Sequence, residues 1–512
     1  MMRLRTVCVL ISSLLTVAGS SLLTVAGSSL LTVAGSSLLT VAGSSLLTVA
    51  GSSLLTVAGK SLLTVAGRLL LTVAGAMRVQ PPPATHAAGA APDYLQRNGS
   101  AEAQRPEAIS VGETLSLERC IEIAIKNQPN IIAAAYTVMA NESRIAQAAS
   151  GYYPQVGLSA AYSRYAPVSG VGGSSSAGSY NQLTNNASVT QNIYDFGRVK
   201  TQVDIQRLTT DASSSDLKTA REQVVYNVKQ AYYTLLQTIK NLEVAKETVE
   251  QFQQHLQQAV GFYQVGEKAK FDVTKAEVDL SNARLNLIKA ENALRLARVN
   301  LNNAMGLPYA IDYLIEDNLA FQEYGVTLND MIEKAFKNRA DIQAIIAKEK
   351  AAQQTIELRK KDYYPTVSGS ATYTWAGESF PLNSGWNVGA QVSLSVFSGY
   401  LTKNQIQEAE FNLKVLRANE DTLRQSIIVD VQQYYLQLMS AQETISAANM
   451  TVEQAKENLD IANGRYGAGL GSPIDVTDAN ITYSNAKTAY IQALTDYKTA
   501  QASLEKAMGE TR

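Results

Sequence analysis

Side chains capable of catalysis or metal binding are scarce in this chain. Of its 512 residues only two are cysteines, Cys8 and Cys120, and two are histidines, His86 and His255. Cys8 falls in a predicted leader, so no intrachain disulfide or zinc–thiolate cluster can form beyond it. Zinc binding and Ser/His or Cys/His catalysis have almost no suitable residues there. The net charge of −1 gives no basic field for nucleic acid. The sequence therefore predicts no enzyme, no metal site, no cofactor and no nucleic-acid partner.

Two carboxylates have a spacing that could influence ion passage. Asp475 and Asp478 are three positions apart, so they would share one face of a helix. Copies of that face around a narrow opening would favour cations and disfavour anions. A local interpretation competes for Asp475, because Ser472-Pro473-x-Asp475 is also a good helix start. The two roles can coexist, and capping explains Asp478 less easily.

The elements that would position these carboxylates come from an internal repeat. Three motifs occur twice, in the same order: Tyr152-Tyr153-Pro154 and Tyr363-Tyr364-Pro365, Tyr263-x-x-Gly266 and Tyr466-x-x-Gly469, Asp272-Val273-Thr274 and Asp475-Val476-Thr477. Self-similarity on this scale indicates one structural unit used twice. The predicted repeats span residues 114–306 and 327–509, with a connector over 307–326.

The N-terminal segment, residues 1–76, is predicted to be a secretory leader. It has a basic start, and Leu-Leu-Thr-Val-Ala-Gly then recurs every eight residues up to the small residues Ala74-Gly75-Ala76, which suit a cleavage site. An apolar region this much longer than the usual ~7–15 residues suggests repeat expansion or a start codon assigned too early. The rival interpretation is one or two membrane helices, although the recurring Gly-Ser-Ser dilutes every window. Residues 77–113 are predicted to be a linker.

Each repeat is predicted to hold a β-hairpin. An amphipathic helical segment, 117–149 or 328–361, ends at the Tyr-Tyr-Pro motif, and the apolar period then changes from 3.6 to 2. The predicted strands cover residues 153–166, 185–196, 364–376 and 386–398. They set apolar residues such as Val388 and Val392 against uncharged polar ones, and they are long enough to cross a bilayer obliquely. A soluble sheet also alternates, but the uncharged polar face and the aromatic strand ends favour a membrane.

Long helices are predicted after each hairpin. Residues 198–260 and 400–463 contain neither Gly nor Pro, and a helix of that length would measure about 95 Å. Their apolar residues follow a heptad-like seam that needs partner helices. After turns at Gly266 and Gly469, a second helix of about 35–40 residues would run back in each repeat.

Four membrane strands per chain cannot close a barrel. An open sheet edge in lipid would leave backbone groups unpaired, so closure requires several chains. Three chains would supply twelve strands, enough to enclose an aqueous lumen. The predicted fold is therefore helix-dominated with a membrane β part: a trimeric twelve-stranded barrel continuous with a helical coiled-coil barrel.

These features together resemble the TolC family of outer-membrane efflux channels, the outer membrane factors, over about residues 115–510. The resemblance rests on the double repeat, the Tyr-Tyr-Pro motifs, Gly197 and Gly399 after the hairpins, and the paired turn motifs. It implies a homotrimer in outer-membrane lipid, with a tunnel projecting into the periplasm. It also implies a periplasmic adaptor (membrane fusion) protein and an inner-membrane pump of RND or ABC type, in tripartite efflux or type I secretion. The alternative is a coiled-coil structural or adhesion protein without a pore, which would lack the hairpins.

The resemblance also assigns roles at the two helical turns, which would form a gated entrance to the tunnel. By position, the gate and selectivity residues are Asp272, Tyr466, Asp475 and Asp478. The basic residue expected in the second turn is replaced by Gly471, and Lys268 or Lys270 could substitute for it. The adaptor would dock on the exposed tips, at Val265, Gly266, Ala468 and Gly469. A plain glycine-mediated turn fits those four residues equally well.

Overall fold

Two long helical hairpins and one four-stranded sheet dominate the part of the chain that the computed structural model describes, residues 112–166, 179–308, 313–325 and 327–510. The predicted leader, residues 1–76, and the predicted linker up to residue 111 lie outside the described residues.

The second half of the chain repeats the element order of the first. The first half contains β1 Thr114–Leu115, α1 Leu117–Asn127, α2 Pro129–Ala149, β2 Gln155–Tyr165, β3 Tyr180–Tyr194, α3 Arg198–Gln264 and α4 Lys270–Ala304. The second contains β4 Leu314–Ile315, α5 Leu328–Asn338, α6 Ala340–Lys360, β5 Thr366–Gly377, β6 Asn383–Ser393, α7 Leu401–Gly467 and α8 Pro473–Ala507. Helices α3 and α7 have 67 residues each, which corresponds to about 100 Å. No helix among the described residues has the length and apolar content needed to cross a bilayer.

The four long strands form one antiparallel sheet in the order β2-β3-β5-β6. Its register places apolar residues opposite one another in one row, Val156, Val189, Ala371 and Val388. The next row is polar or small, with Gly157, Ser188, Thr372 and Asn387. Directly opposed residues share a face, so the sheet has one apolar and one uncharged polar face. The β3–β5 pair joins the two halves of the chain.

Strand pairing moves three of the predicted strand bounds by three residues or more, one of them the start of β6, at Asn383 rather than 386. β2 and β5 begin and end within two residues of the predicted segments. β3 begins at Tyr180 rather than 185, because Tyr180 pairs with Tyr165 at the far end of β2. The predicted end of the last strand at 398 is five residues too far. β6 stops at Ser393, opposite Thr366, where its partner β5 begins.

Each helical segment that precedes a hairpin is broken, whereas the sequence predicted one continuous helix. The breaks fall at Gln128 and Arg339, which both have extended backbone. Pro129 explains the first, since a residue before proline is disfavoured in the helical region. Both side chains reach the last turn of their own return helix: Gln128 donates to the carbonyl of Ala304 at 2.7 Å and Arg339 to that of Ala507 at 3.4 Å. The break thus supplies donors to helix-end carbonyls that lack partners.

A glycine beyond each return helix allows this close approach. Gly306 and Gly509 have φ values of +73° and +68°. A Cβ on Gly306 would lie 2.9 Å from the backbone carbon of Asn127, and one on Gly509 would lie 3.0 Å from the backbone nitrogen of Arg339. Both the left-handed conformation and the space therefore require glycine.

The hydrophobic core lies at the level of these breaks. In the first half α1 and α2 pack on α3, and the end of α4 around Leu301 joins the same cluster. In the second half α5 packs on α7, while α6 packs on α7 and on α3 of the first half. Its fully buried residues include Tyr232, Leu301, Ile427, Leu438 and Tyr497. Two tyrosine hydroxyls from this core donate to the connector, Tyr232 to the carbonyl of Glu316 at 2.7 Å and Tyr497 to that of Gln322 at 2.6 Å. β1 and β4 pair in parallel beside it.

The turn at Gly266, which follows α3, and the turn at Gly306, which follows α4, should respond differently to an added methyl group. We expect Gly266→Ala to lower the free energy of unfolding by about 1–2 kcal/mol, the cost of a left-handed backbone at a residue with a side chain. No steric cost is added, because no described atom lies within 4 Å of the Cβ position at Gly266. Gly306→Ala should cost about 1–3 kcal/mol more, since its Cβ overlaps the backbone of Asn127. Thermal unfolding of the purified protein in detergent would measure the difference. Equal shifts of the midpoint would contradict the role given to Gly306.

Candidate functional site at the helix tips

The two helical hairpins end in turns of the same construction. Gly266 (φ +80°) and Gly469 (φ +76°) follow α3 and α7. Their amides donate to the carbonyls of Tyr263 at 3.1 Å and Tyr466 at 3.0 Å, which satisfies carbonyl groups at the helix ends. The predicted docking residues Val265, Gly266, Ala468 and Gly469 are all exposed on these turns. Val265 exposes 71% of its surface, so an apolar side chain marks the tip.

Tyr466 joins the two hairpins at the tip. It lies on α7 and is fully buried, with its ring centroid 5.0 Å from that of His255 and 5.5 Å from that of Phe262, both on α3. Its hydroxyl has no hydrogen-bond partner among the described residues. Burial, and secondarily the charge of Asp272, raise the pKa of Tyr466. The structure thus brings Tyr466 and Asp272 near each other without a hydrogen bond, and Tyr466 acts through packing.

Lys268 reaches across to the second turn, where Gly471 stands at the position expected to be basic. A Cβ on Gly471 would lie 2.8 Å from the backbone nitrogen of Tyr466, so no side chain fits at that position. The Lys268 ammonium donates to the carbonyl of Gly471 at 3.4 Å and lies 5.6 Å from the centre of the Tyr466 ring. Of the two lysines considered from the sequence, Lys268 is the one that the structure places across the two turns.

A buried carboxylate that the sequence analysis missed links the return helices. Asp279 on α4 accepts hydrogen bonds from the Lys275 ammonium at 2.5 and 2.8 Å and from the Thr477 hydroxyl of α8 at 2.8 Å. The i,i+4 spacing of Lys275 and Asp279, one heptad beyond Asp272, is the signal that could have revealed it. Lys275 is the first-repeat counterpart of Asp478, so the two repeats differ at this position.

Asp475 caps its own helix, and it shares an exposed face with Asp478. The amide of Ser472 donates to the Asp475 carboxylate at 3.3 Å, and the Ser472 hydroxyl accepts from the amide of Ile474 at 3.2 Å. The capping interpretation of Asp475 is therefore correct. Asp475 and Asp478 are both exposed, whereas Val476 and Ala479 on the opposite face are buried. One face of α8 packs on the tip, and the other presents two carboxylates to solvent.

Polar contacts between the hairpins continue away from the tips. The hydroxyls of Thr248 on α3 and Ser484 on α8 are 3.1 Å apart, and Glu247 pairs with Lys487. This line of contacts belongs to one seam, α3 of the first repeat against α8 of the second. The packing of Tyr466 on His255 and Phe262 lies at the tip end of this seam.

A family model, related sequences and a solved structure all match this chain and point to one family. The model of the family described as outer membrane efflux protein matches residues 120–307 and 331–510. Outer membrane protein TolC of Escherichia coli (strain K12) is 23% identical over 419 residues, covering 78% of this chain and 83% of that protein. The probable efflux pump outer membrane protein TtgC of Pseudomonas putida is 22% identical over 454 residues, covering 82% and 91%. The Campylobacter jejuni CmeC outer membrane channel has a similar fold, with a TM-score of 0.69 at 16% identity over 85% of this chain and 94% of that one.

The link between Asp279 and Thr477 should hold the return helices together at the tip. Thr477→Val keeps the shape but removes a donor from a buried carboxylate, at an expected cost of about 1–3 kcal/mol. Thr482→Val is the matched control, because the exposed Thr482 hydroxyl donates only to a carbonyl of its own helix. Limited proteolysis at the turns, which detects local opening, should become several-fold faster in the first variant and not in the second. Equal rates in both would show that the buried link contributes nothing.

Proposed function

The chain belongs to the outer membrane efflux protein family and lies in the bacterial outer membrane, as its relatives do, and on that basis we propose a specific assembly and role. Three copies form a channel-tunnel, in which a twelve-stranded barrel continues into a helical tunnel in the periplasm. The channel is the exit duct of a tripartite efflux or type I secretion system, conducts its cargo passively, and is gated at the helix tips.

The sheet carries this proposal. Within the described residues β2 and β6 each pair on one side only, and the apolar face exposes large side chains such as Leu158 and Trp386. That face suits outer-membrane lipid, where every unpaired amide or carbonyl would cost several kcal/mol. Pairing β6 of one copy with β2 of the next removes both edges, and three copies close a barrel with the uncharged polar face toward the lumen.

Exposed apolar stripes on the helices support the same arrangement. On α4 they recur at multiples of seven residues: Phe271, Val278, Leu285 and Val299. On α7 they do the same: Val415, Val429, Leu436 and Met450. Such a seven-residue repeat is what a partner helix in a coiled coil requires. Within one chain α4 packs mainly on α3, and α7 on α8 and α6, so these stripes are available to a second copy.

The stripes and the strand edges assign the same neighbours. Strand β2 and helix α4 belong to the first repeat, and β6 and α7 to the second. Contacts within the chain give the order α4-α3-α8-α7 near the tips and α2-α3-α6-α7 nearer the sheet. If this order continued around a ring, α7 would lie against α4 of the next copy near the tips and against its α2 nearer the sheet. On α2, Ile132, Tyr136 and Met139 form another exposed stripe. One rotation therefore satisfies strands and helices together.

The gate is proposed at the narrow end of the tunnel. In a trimer, the exposed faces of α8 would supply six carboxylates from Asp475 and Asp478, a field that favours cations. Lys268, Tyr466, Thr477 and Asp279 hold the two hairpins of each chain together, and parting these contacts would widen the entrance. Asp272, beside Tyr466, adds negative charge there.

The tips also suit a periplasmic adaptor protein. Val265, Gly266, Ala468 and Gly469 are exposed on turns that project beyond the helix packing, and Leu470 exposes 79% of its surface. Apolar side chains on rigid turns form knobs that grooves between adaptor helices can accept. An inner-membrane pump of RND or ABC type would then supply the energy, in keeping with relatives named as efflux pump outer membrane proteins.

The proposed contact between chains can be tested at Leu436. Leu436→Glu places a charge in the α7 stripe, and burying it unpaired at an interface would cost about 3–5 kcal/mol. We expect the detergent-solubilised trimer, seen by cross-linking and by resistance to mild SDS, to be lost or greatly weakened. Gln437→Glu adds the same charge at the next exposed residue and should leave the trimer intact. A trimer that is unaffected by both changes would exclude this packing.

Conductance in planar bilayers tests the carboxylates separately from the helix cap. Asp478→Asn should reduce cation preference, and Asp475→Asn/Asp478→Asn should reduce it further, because the field at the entrance weakens. Ser472→Ala is the control: it removes the cap, worth about 1 kcal/mol, and leaves both carboxylates in place. Full cation preference in the double variant would show that the carboxylates do not act on ions.

A further inference from the structure

His255 occupies an unusual position in the seam between the hairpins. It is the one histidine in the part of the chain that the structure describes, and it is only 3% exposed. Its Nδ1 has no hydrogen-bond partner within the described residues. The ring lies between Phe252 and Ala259 on the buried side of α3 and packs on Tyr466. An ionisable ring therefore fills an apolar contact between the two repeats.

The charged groups around His255 do not pair with it. Asp272, Lys275 and Asp279 of α4 act on the imidazole through space, and the Asp279 carboxylate already accepts from Lys275 and from Thr477 of α8. From α7, Tyr466 presents its ring, with the Lys268 ammonium on that ring.

The α8 side of this region is buried and neutral. Thr477 donates to Asp279, and Asn480 is 1% exposed with an Oδ1 that lacks a partner among the described residues. Burial lowers the pKa of His255 from its ordinary value of 6.5, and the opposing pull of Asp279 and Asp272 is smaller. The closed seam therefore favours the neutral imidazole.

We propose that His255 is an acid sensor, which loosens the contact between the two helical hairpins of each chain when it is protonated. The proposal concerns the regulation of the entrance and rests on the proposed channel function to that extent. Protonation places a charge against the Tyr466 ring, in a contact where Nδ1 has no hydrogen-bond partner among the described residues. Separation of α3 from α7 and α8 admits water to that charge.

The direction of the pH dependence follows from linkage. The separated form, with a hydrated imidazole, binds a proton more readily than the closed form. The closed contact is therefore fully stable above a pH of about 6.5 and is weakened as the pH falls below that value. Each unit of pKa difference between the two forms shifts the equilibrium about tenfold per chain toward the open form.

Conductance measured between pH 7.5 and 5.5 tests the proposal on the full-length protein. The opening frequency of the unaltered channel should rise several-fold toward acid pH, and His255→Gln, which cannot ionise, should remove the rise. His255→Gln/Gln254→His is the matched control, since it keeps one histidine but moves it to an exposed neighbouring position. It should behave like His255→Gln. An acid response that persists in either variant would overturn the proposal.

A disulfide across the seam tests whether the hairpins move apart. The hydroxyls of Thr248 and Ser484 are 3.1 Å apart, so Thr248→Cys/Ser484→Cys should cross-link α3 to α8. Oxidation should abolish the acid response and reduction should restore it. An oxidised channel that still opened in acid would show that this seam does not part.

Thiol labelling provides a measurement that needs no conductance. The thiol of Ala462→Cys, buried beside Tyr466, should be labelled faster at pH 5.5 than at 7.5, relative to the thiol of Ile474→Cys at an exposed position. The ratio should rise in the unaltered background and stay constant with His255→Gln. A constant ratio in both would refute the acid sensor. A responsive ratio in a protein that conducts at no pH would support the sensor and reject the channel function.

Discussion

A backbone amide or carbonyl in hydrocarbon has no water with which to form a hydrogen bond. This constraint limits how the edges of the sheet can lie in a membrane. One chain contributes four strands, with β2 and β6 each paired on one side within the described residues. In the proposed trimer, the helices below the sheet would be arranged by the closing of those edges. The rotation that would pair β6 with β2 of the next copy would also bring the apolar stripe of α7 onto α4 and α2. The proposed helical tunnel would therefore continue the strand pairing rather than form a second, independent assembly.

Much of this architecture can be predicted from the sequence, because it depends on residue patterns that repeat over a few positions. Alternation fixes the faces of the strands, and the scarcity of Gly and Pro predicts the long helices, although α3 runs past Gly261 and α7 past Gly464. The helix-dominated fold, the family and the outer-membrane location that the resemblance implied are confirmed. The break at Arg339 was not predictable, since no proline announces it and its partner Ala507 is 168 positions away. The β1–β4 pair is missed for the same reason, as Thr114 pairs with Leu314.

The tip shows a second limit of sequence reasoning. Matching by position identifies Asp272 and Tyr466, and Tyr466 joins the hairpins by packing. The hydrogen bonds that join them there come from Lys268, Asp279 and Thr477. Gly471 is explained only by packing, because the backbone of Tyr466 occupies the space of any side chain. Asp475 and Asp478 are found exposed as a pair, and their role in ion passage stays a prediction. The two repeats have also diverged: Tyr466 is fully buried, whereas its counterpart Tyr263 is 46% exposed.

The contact between the two repeats of one chain differs from the contact proposed between chains, and this difference has a mechanical consequence. In a threefold ring, six boundaries would alternate: three where polar residues of α3 and α8 meet, and three lined by aliphatic heptads of α4 and α7. The polar boundaries would lie within a single polypeptide, whose two halves are joined by the β3–β5 ladder above and by the packing of α6 on α3 midway. Such a ring could widen at the three polar boundaries while the three aliphatic ones stay closed, and the proposed pore would then open without separation of its subunits.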